Sequence, residues 1–452
     1  MENQQLARKL KRRHVQMIAL GGAIGTGLFL GSGAAIRQAG PSILLAYAIG
    51  GFFCYLMMRA LGELLLSNTK LHSFLEFINL YLGKKFEFAI GWTYWLCWIS
   101  LAMADLTASG IYIRYWFPWI PQWVTPLVII LILLVFNLLS VSAFGELEYW
   151  FSMIKVVAII ALIVTGAILI GSSAHVGGQT VSVTNLVSHG GFFPKGLSGF
   201  LTSFSLVIFA FTGIEMVGIT AGEAENPEKE LPRAINSLPI RISFFYVGAL
   251  FVIMSIYPWD QITTSQSPFV QVFSDIGIKA AASIINFVVL TAALSACNSA
   301  IFSTSRTLFT LAHGHNAPKW MGKVNRYNVP ARALGFSSLI LLVIVVLNYV
   351  IPSTVFTLIS NVATTNFIIV WCSLLVCHYV YKKTQDSSKN PFKLPLFPLS
   401  NVVTLVFFLA VTVVLCFDTV NRWAVIGSVL WFVVLLVIES GMRRHQQISK
   451  DN

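Results

Sequence analysis

The sequence predicts an all-α polytopic membrane protein of twelve transmembrane helices, and three observations carry that expectation. Of its 452 residues, 56% are hydrophobic and only 11% are charged, whereas a soluble domain carries about 25% charged residues. Mean hydropathy is +0.77. Apolar runs of roughly 20 residues, the length that crosses a bilayer, recur along nearly the whole chain.

The runs cover 15–36, 42–66, 86–116, 124–142, 148–171, 198–221, 239–258, 279–312, 334–351, 354–381, 400–417 and 423–441. The first is too long for a cleaved signal peptide and lacks a convincing cleavage site. With the N-terminus placed in the cytoplasm, 22 of the 30 Lys and Arg residues fall on that side and 5 on the other. Arg59, Lys155 and Arg306 lie within spans. The positive-inside rule then puts both termini in the cytoplasm, as an even number of spans requires. The net charge of +12 follows this orientation, so nucleic acid is not an expected partner; the lipid bilayer is. All six cysteines lie in or at the edge of spans without zinc-site spacing, so neither a disulfide nor a metal site is expected. The division expected is a cytoplasmic tail (1–14), a core of spans 1–10 (15–381), spans 11–12 (382–441) and a cytoplasmic tail (442–452).

Span 1 reads VQMIALGGAIGTGLFLGSGAAI, with six glycines between Gly21 and Gly33. Each glycine costs a helix about 1 kcal/mol relative to alanine, and a simple anchor has no use for that cost. Backbone that leaves the helix inside a bilayer must be buried in protein or line a polar cavity. Span 6 carries a second interruption, FAFTGIEMVG, with Gly213 and Gly218 flanking Glu215. The two lie five spans apart, which suggests an inverted repeat of spans 1–5 and 6–10 with a binding site at the breaks. Close packing of the small-xxx-small type, which Gly27 and Gly31 fit, is the alternative for the glycines. Downstream, Asn226 as N-cap and Pro227 as first residue would start a short cytoplasmic helix. The loops 222–238 and 313–333 read either as moving connections or as ordinary amphipathic linkers.

Several strings are distinctive: GGAIGTGLFLGSG, RALGELLLSN, GWTYW, FGELEYWFSMIKVVAII, FAFTGIE and NPEKELPRAIN. In these the chain resembles the amino acid transporter family of the amino acid–polyamine–organocation superfamily, over about residues 8–385. WLCWISLAMADLTA, GGFFPKGLSGF, AASIINFVVLTAA and NSAIFSTSRTLF look most like the D-serine/D-alanine/glycine permeases within it. The resemblance implies a leucine-transporter-type fold with a 5+5 inverted repeat and discontinuous helices 1 and 6. It also implies alternating access and proton-driven import of a zwitterionic amino acid. No enzyme is expected, because no metal cluster, nucleophile elbow or phosphate loop stands in a credible context.

An amino acid presents a carboxylate and an ammonium at fixed separation. Ile24, Gly25, Thr26 and Gly27 are expected to offer freed N–H groups to the carboxylate. Phe209, Ala210 and Phe211 are expected to offer carbonyls to the ammonium. Met103 and Ser295 are further candidates for the substrate site. Lys155 matches the span-5 lysine that, in proton-coupled relatives, stands in for a sodium ion; snorkelling to the inner face is its alternative. Glu215 matches a position near the substrate gate. Asp105 is an intramembrane acid and hence a functional candidate; a structural hydrogen bond to a neighbouring span is the other reading. Arg59 and Glu63, four residues apart, read as a salt bridge. Ser303 and Thr304 fall where relatives hold sodium, and polar residues such as Asn298 and Ser299 commonly bond between helices. The function expected is proton symport of serine, alanine or glycine in either enantiomer across the plasma membrane, without cofactor, by a monomer or weak dimer. Aromatic amino acids, threonine or γ-aminobutyrate, and sodium coupling or exchange, remain the alternatives.

Overall fold

A computed structural model describes residues 24–71, 73–139, 141–216, 227–264, 266–277, 279–387 and 390–451. The first half of span 1 with Gly21 and Gly22, the second half of span 6 with Gly218, and the proposed Asn226 cap lie outside the described residues. Eight of the described helices are long and apolar enough to cross a membrane, and three shorter apolar helices accompany them.

The described part of span 1 forms two helices, Thr26–Phe29 and Gly31–Ala39. Span 2 is Ile43–Ser67, span 3 Lys84–Arg114, span 4 Val124–Leu139 and span 5 Val141–Gly171. Span 6 begins as Gly196–Thr202 and Phe204–Phe211. Spans 7 to 12 are Pro227–Ile256, Lys279–His313, Ala331–Val350, Val355–Thr384, Leu399–Leu415 and Thr419–Asp451. One expectation changes here. The helix opening at Pro227 is no separate element, since it runs without interruption into span 7. The helix of span 12 likewise runs on to Asp451, beyond its apolar part, Asn421–Met442. Both extensions continue an already nucleated helix, and adding residues to one is far easier than starting another.

Between spans 2 and 3 a helix, Phe74–Leu82, starts at Ser73, whose hydroxyl accepts the Leu75 N–H. It stops at Gly83, whose φ of +88° suits a residue without a Cβ. The loop between spans 5 and 6 carries a hairpin of β1 (His175–Val176) and β2 (Gln179–Thr180). Its turn residues Gly177 and Gly178 both have positive φ, as tight hairpins prefer.

Span 3 is the central helix, packing on spans 8 and 10; span 7 packs on spans 2 and 5. Span 12 lies against spans 3 and 10, and span 11 against spans 2 and 10. Burial follows: 83% of the apolar window of span 3 is enclosed, against 22% in span 12. Exposed stripes such as Val157, Val164 and Ile168 on span 5, and Leu339, Val343 and Val346 on span 9, fit contact with lipid tails.

The ends of spans 2 and 10 are tied by Glu63, and not through Arg59. Glu63 is fully buried; Lys382 Nζ lies 2.8 Å from its Oε1 and His378 Nε2 2.9 Å from its Oε2. The Leu394 N–H donates to Oε2 at 2.7 Å, and Asn401 Nδ2 donates to His378 Nδ1. Arg59 turns the other way, donating to Asn236 Oδ1 and the Lys393 carbonyl and stacking over Phe392. The expected i,i+4 salt bridge is therefore replaced by tertiary pairs, because span 10 delivers two better-enclosed donors to the buried acid. Trp259 lies between Arg37 and Lys195 and donates to the His189 carbonyl. That contact links the end of span 1 with the loops on either side of spans 6 and 7.

Glu63→Ala would leave Lys382 and His378 without their acceptor, an omission that costs about 3–5 kcal/mol when a buried pair is broken. A marked fall in melting temperature in detergent is expected, larger than for Arg59→Ala. Equal melting of the two variants would refute this ranking.

Candidate functional site

The first described helix of span 1 follows an extended residue. Gly25 has φ −122° and ψ −153°, and no side chain caps Thr26–Phe29. A Cβ on Gly27 would lie 2.7 Å from the Ala210 Cα and 3.2 Å from its N. Only glycine lets spans 1 and 6 approach this closely. A Cβ on Gly25 would instead meet Ala296 of span 8 at 3.3 Å and Asp105 Oδ1 of span 3 at 3.8 Å. Gly27 thus admits a neighbouring backbone, as the packing reading expects, and Gly25 precedes the helix in extended geometry.

In span 6 helical geometry persists through Phe211 and fails at Thr212–Glu215, where Gly213 has φ +92°. The break lies downstream of the expected carbonyls. The Phe209 carbonyl accepts both the Thr212 N–H and hydroxyl. The Ala210 carbonyl accepts the Tyr246 hydroxyl of span 7 at 2.9 Å. Phe209 also packs edge-on to Phe356, and Phe211 against Tyr47 and Tyr246.

The ionisable residues collect beside the span-1 break. Thr26 Oγ1 donates to Asp105 Oδ1 at 2.7 Å, within the protein interior. Lys155 Nζ lies 3.9 Å from Glu148 Oε1, and both side chains are 0% exposed. The lysine therefore does not snorkel to the inner face. Ser295 Oγ donates to Glu148 Oε1 at 2.6 Å, so this candidate substrate residue contacts the acid of span 5. Lys155 also faces Asp105. Spans 1, 3, 5 and 8 meet at this one buried cluster.

The family model for amino acid permeases matches residues 14–447. The chain belongs to the amino acid permease family. The permease is 56% identical to an uncharacterized transporter of Bacillus subtilis, YdgF, over 97% of this chain and 96% of the relative. It is 55% identical to the B. subtilis amino-acid permease AapA, over 97% and 95%. It is 48% identical to a D-serine/D-alanine/glycine transporter of Escherichia coli K12, over 96% and 93%. More distant relatives are a probable threonine/serine transporter of B. subtilis at 45% and an aromatic amino acid transport protein of E. coli at 42%. The fold is accordingly the family's twelve-span helical one, in a multi-pass plasma-membrane protein.

A second acid of the permease stands apart from the cluster. Glu215 at the span-6 break accepts a hydrogen bond from Trp371 Nε1 of span 10 at 3.3 Å. Its Oε1, the Tyr94 hydroxyl and Trp98 Nε1 are buried without hydrogen-bond partners among the described residues. Met103 is buried in span 3, its carbonyl engaged by Thr107. Ser303 and Thr304 turn their hydroxyls to carbonyls of their own helix, at Ser299 and Ile301. Asn298 accepts from Asn137 of span 4 at 2.7 Å.

Sequence reasoning passed over Glu148 and Tyr246. Glu148 had a signal: it precedes Lys155 by seven residues, two helical turns, which puts both on one face. Tyr246 had none, because its acceptor is a backbone carbonyl of another span.

Gly27→Ala forces a methyl against the Ala210 backbone, and overpacking of this kind costs about 1–3 kcal/mol. Uptake per inserted protein should fall sharply, while Gly31→Ala, whose Cβ would find nothing nearer than 3.7 Å, should keep it. Equal uptake by the two variants would make the close approach dispensable.

Proposed function

We propose that the permease imports small neutral amino acids, serine, alanine and glycine in L or D form, by proton symport through alternating access. The relative carrying that substrate name is 48% identical over nearly the whole chain, and this is the observation that supports the substrate. The proton reading rests on Lys155, a cation enclosed beside two acids, where it would repel sodium.

In this reading the substrate carboxylate meets the N–H groups of Gly25, Thr26 and Gly27, with Ile24 flanking. The Thr26 hydroxyl must then be shared with, or released by, Asp105. Two carboxylates at one hydroxyl repel, so substrate binding favours a protonated Asp105. The ammonium pairs with the carbonyls of Phe211, Thr212 or Ile214, since those of Phe209, Ala210 and Gly213 are already engaged. Phe209 and Phe211 cover the site, with Met103 below it, and Glu215 gates the cytoplasmic route through Trp371 and Tyr94. Both termini face the cytoplasm, the core of spans 1–10 carries transport, and spans 11–12 add outside it. The working unit is a monomer or weak dimer.

The second reading keeps the machine and changes the cargo, since relatives named for threonine/serine and for aromatic amino acids share the scaffold. One methylene in a pocket discriminates by only about 1–3 kcal/mol, so a few side chains suffice for the change. In proteoliposomes with an imposed pH gradient, D-alanine, L-serine and glycine should compete for labelled D-alanine and phenylalanine should not. A protonophore should abolish accumulation, and replacing sodium should leave it unchanged. Competition by phenylalanine alone would select the second reading. Lys155→Ala should lose accumulation against a gradient; full accumulation by that variant would remove Lys155 from coupling.

A further inference from the structure

We propose that the transported proton is held by the Asp105–Glu148 carboxyl pair, with Lys155 kept as an ammonium that offsets the other carboxylate. This rests on the proton-symport reading above and names the site of the proton within it. Glu148 is the new participant.

Asp105, Glu148 and Lys155 are each 0% exposed. The groups facing Asp105 are Thr26, Lys155, Glu148, Tyr112 and Cys297. Those facing Glu148 are Lys155, Ser295 and Ser299. Lys155 is the one basic side chain among them, so two acids share one cation. Fully ionised, the cluster carries one net negative charge. Leaving a charge uncompensated in such an enclosure costs several kcal/mol, and one added proton removes it.

The hydrogen bonds show where that proton fits. Asp105 uses Oδ1 for Thr26, and Glu148 uses Oε1 for Ser295. Asp105 Oδ2 and Glu148 Oε2 are both buried without hydrogen-bond partners among the described residues. Protonating either forms one O–H bond and leaves the existing contacts intact. Removing the proton from Lys155 would instead neutralise the one cation beside two acids and raise the net charge to minus two. Asp105 and Glu148 both face Lys155, so the proton is assigned to the pair and not to either acid alone. A substrate carboxylate at Thr26 adds negative charge beside Asp105 and so favours the protonated pair. Substrate and proton thus load together, and the proton leaves to the cytoplasm when the site opens inward.

The test uses the full-length protein in proteoliposomes, with the membrane potential clamped and D-alanine as probe. One coupled proton and a gradient of one pH unit correspond to about tenfold accumulation. Glu148→Gln mimics the protonated acid, so it should exchange internal for external D-alanine without pH dependence yet show no accumulation. Tenfold accumulation by Glu148→Gln, or loss of exchange in a variant that still binds D-alanine, would overturn the proposal. If Glu148→Gln does not fold, Ser295→Ala decides, because it deletes a hydrogen bond that favours the ionised acid. Half-maximal accumulation should then move to higher pH, and an unchanged profile would overturn the assignment. Absence of pH-driven accumulation of D-alanine by the unmodified protein would instead defeat the symport reading itself.

Discussion

Opening a helix inside a bilayer strands backbone groups where water cannot replace the lost partners, and this constraint shapes the centre of the protein. At span 6 the last carbonyls before the break are claimed by Thr212 and by Tyr246 of span 7. At span 1 the stretch Gly25–Gly27 sits against Asp105, Ala296 and Ala210. The breaks are held by three neighbouring spans, which is why span 3 is so deeply enclosed and why small residues face it. A spanning helix serving only as an anchor would need none of these contacts.

Charge is distributed under the same rule. The buried acids stand where a donor from another span meets them: Glu63 with Lys382 and His378, Glu215 with Trp371, Glu148 with Ser295, Asp105 with Thr26. The Glu63 group is saturated, with donors on both carboxylate oxygens, and it pins spans 2 and 10 to the loop before span 11. At Asp105 and Glu148 one oxygen each is bonded and the other has no partner among the described residues. A saturated acid fixes a structure, whereas a half-saturated pair beside a lysine has a place for a proton. On that difference the proposed coupling site rests.

Much of this was legible in the chain. Twelve apolar runs, the bias of basic residues to one side, and the two glycine-marked interruptions came from composition and order alone. Lys155 was conspicuous because a lysine in an apolar run demands a reason. What misled was local pairing. Arg59 and Glu63 sit at helical spacing, yet span 10 brings Glu63 a lysine and a histidine from more than 300 residues away. The carbonyls expected at Phe209–Phe211 belong to helix, and the chain leaves it only at Thr212, with Gly213 permitting the turn.

The sequence by itself determined that this chain crosses a membrane many times and interrupts span 6 near Gly213. Those properties depend on hydrophobicity and on glycine, which act residue by residue. Only the tertiary structure decided which buried acid meets which donor. It brought Glu148, Lys155, Ser295, Asp105 and Thr26 together from four spans, and it gave Ala210 a partner in Tyr246. Electrostatic pairing in a medium of low dielectric depends on distances between helices, and spacing along one helix does not contain them.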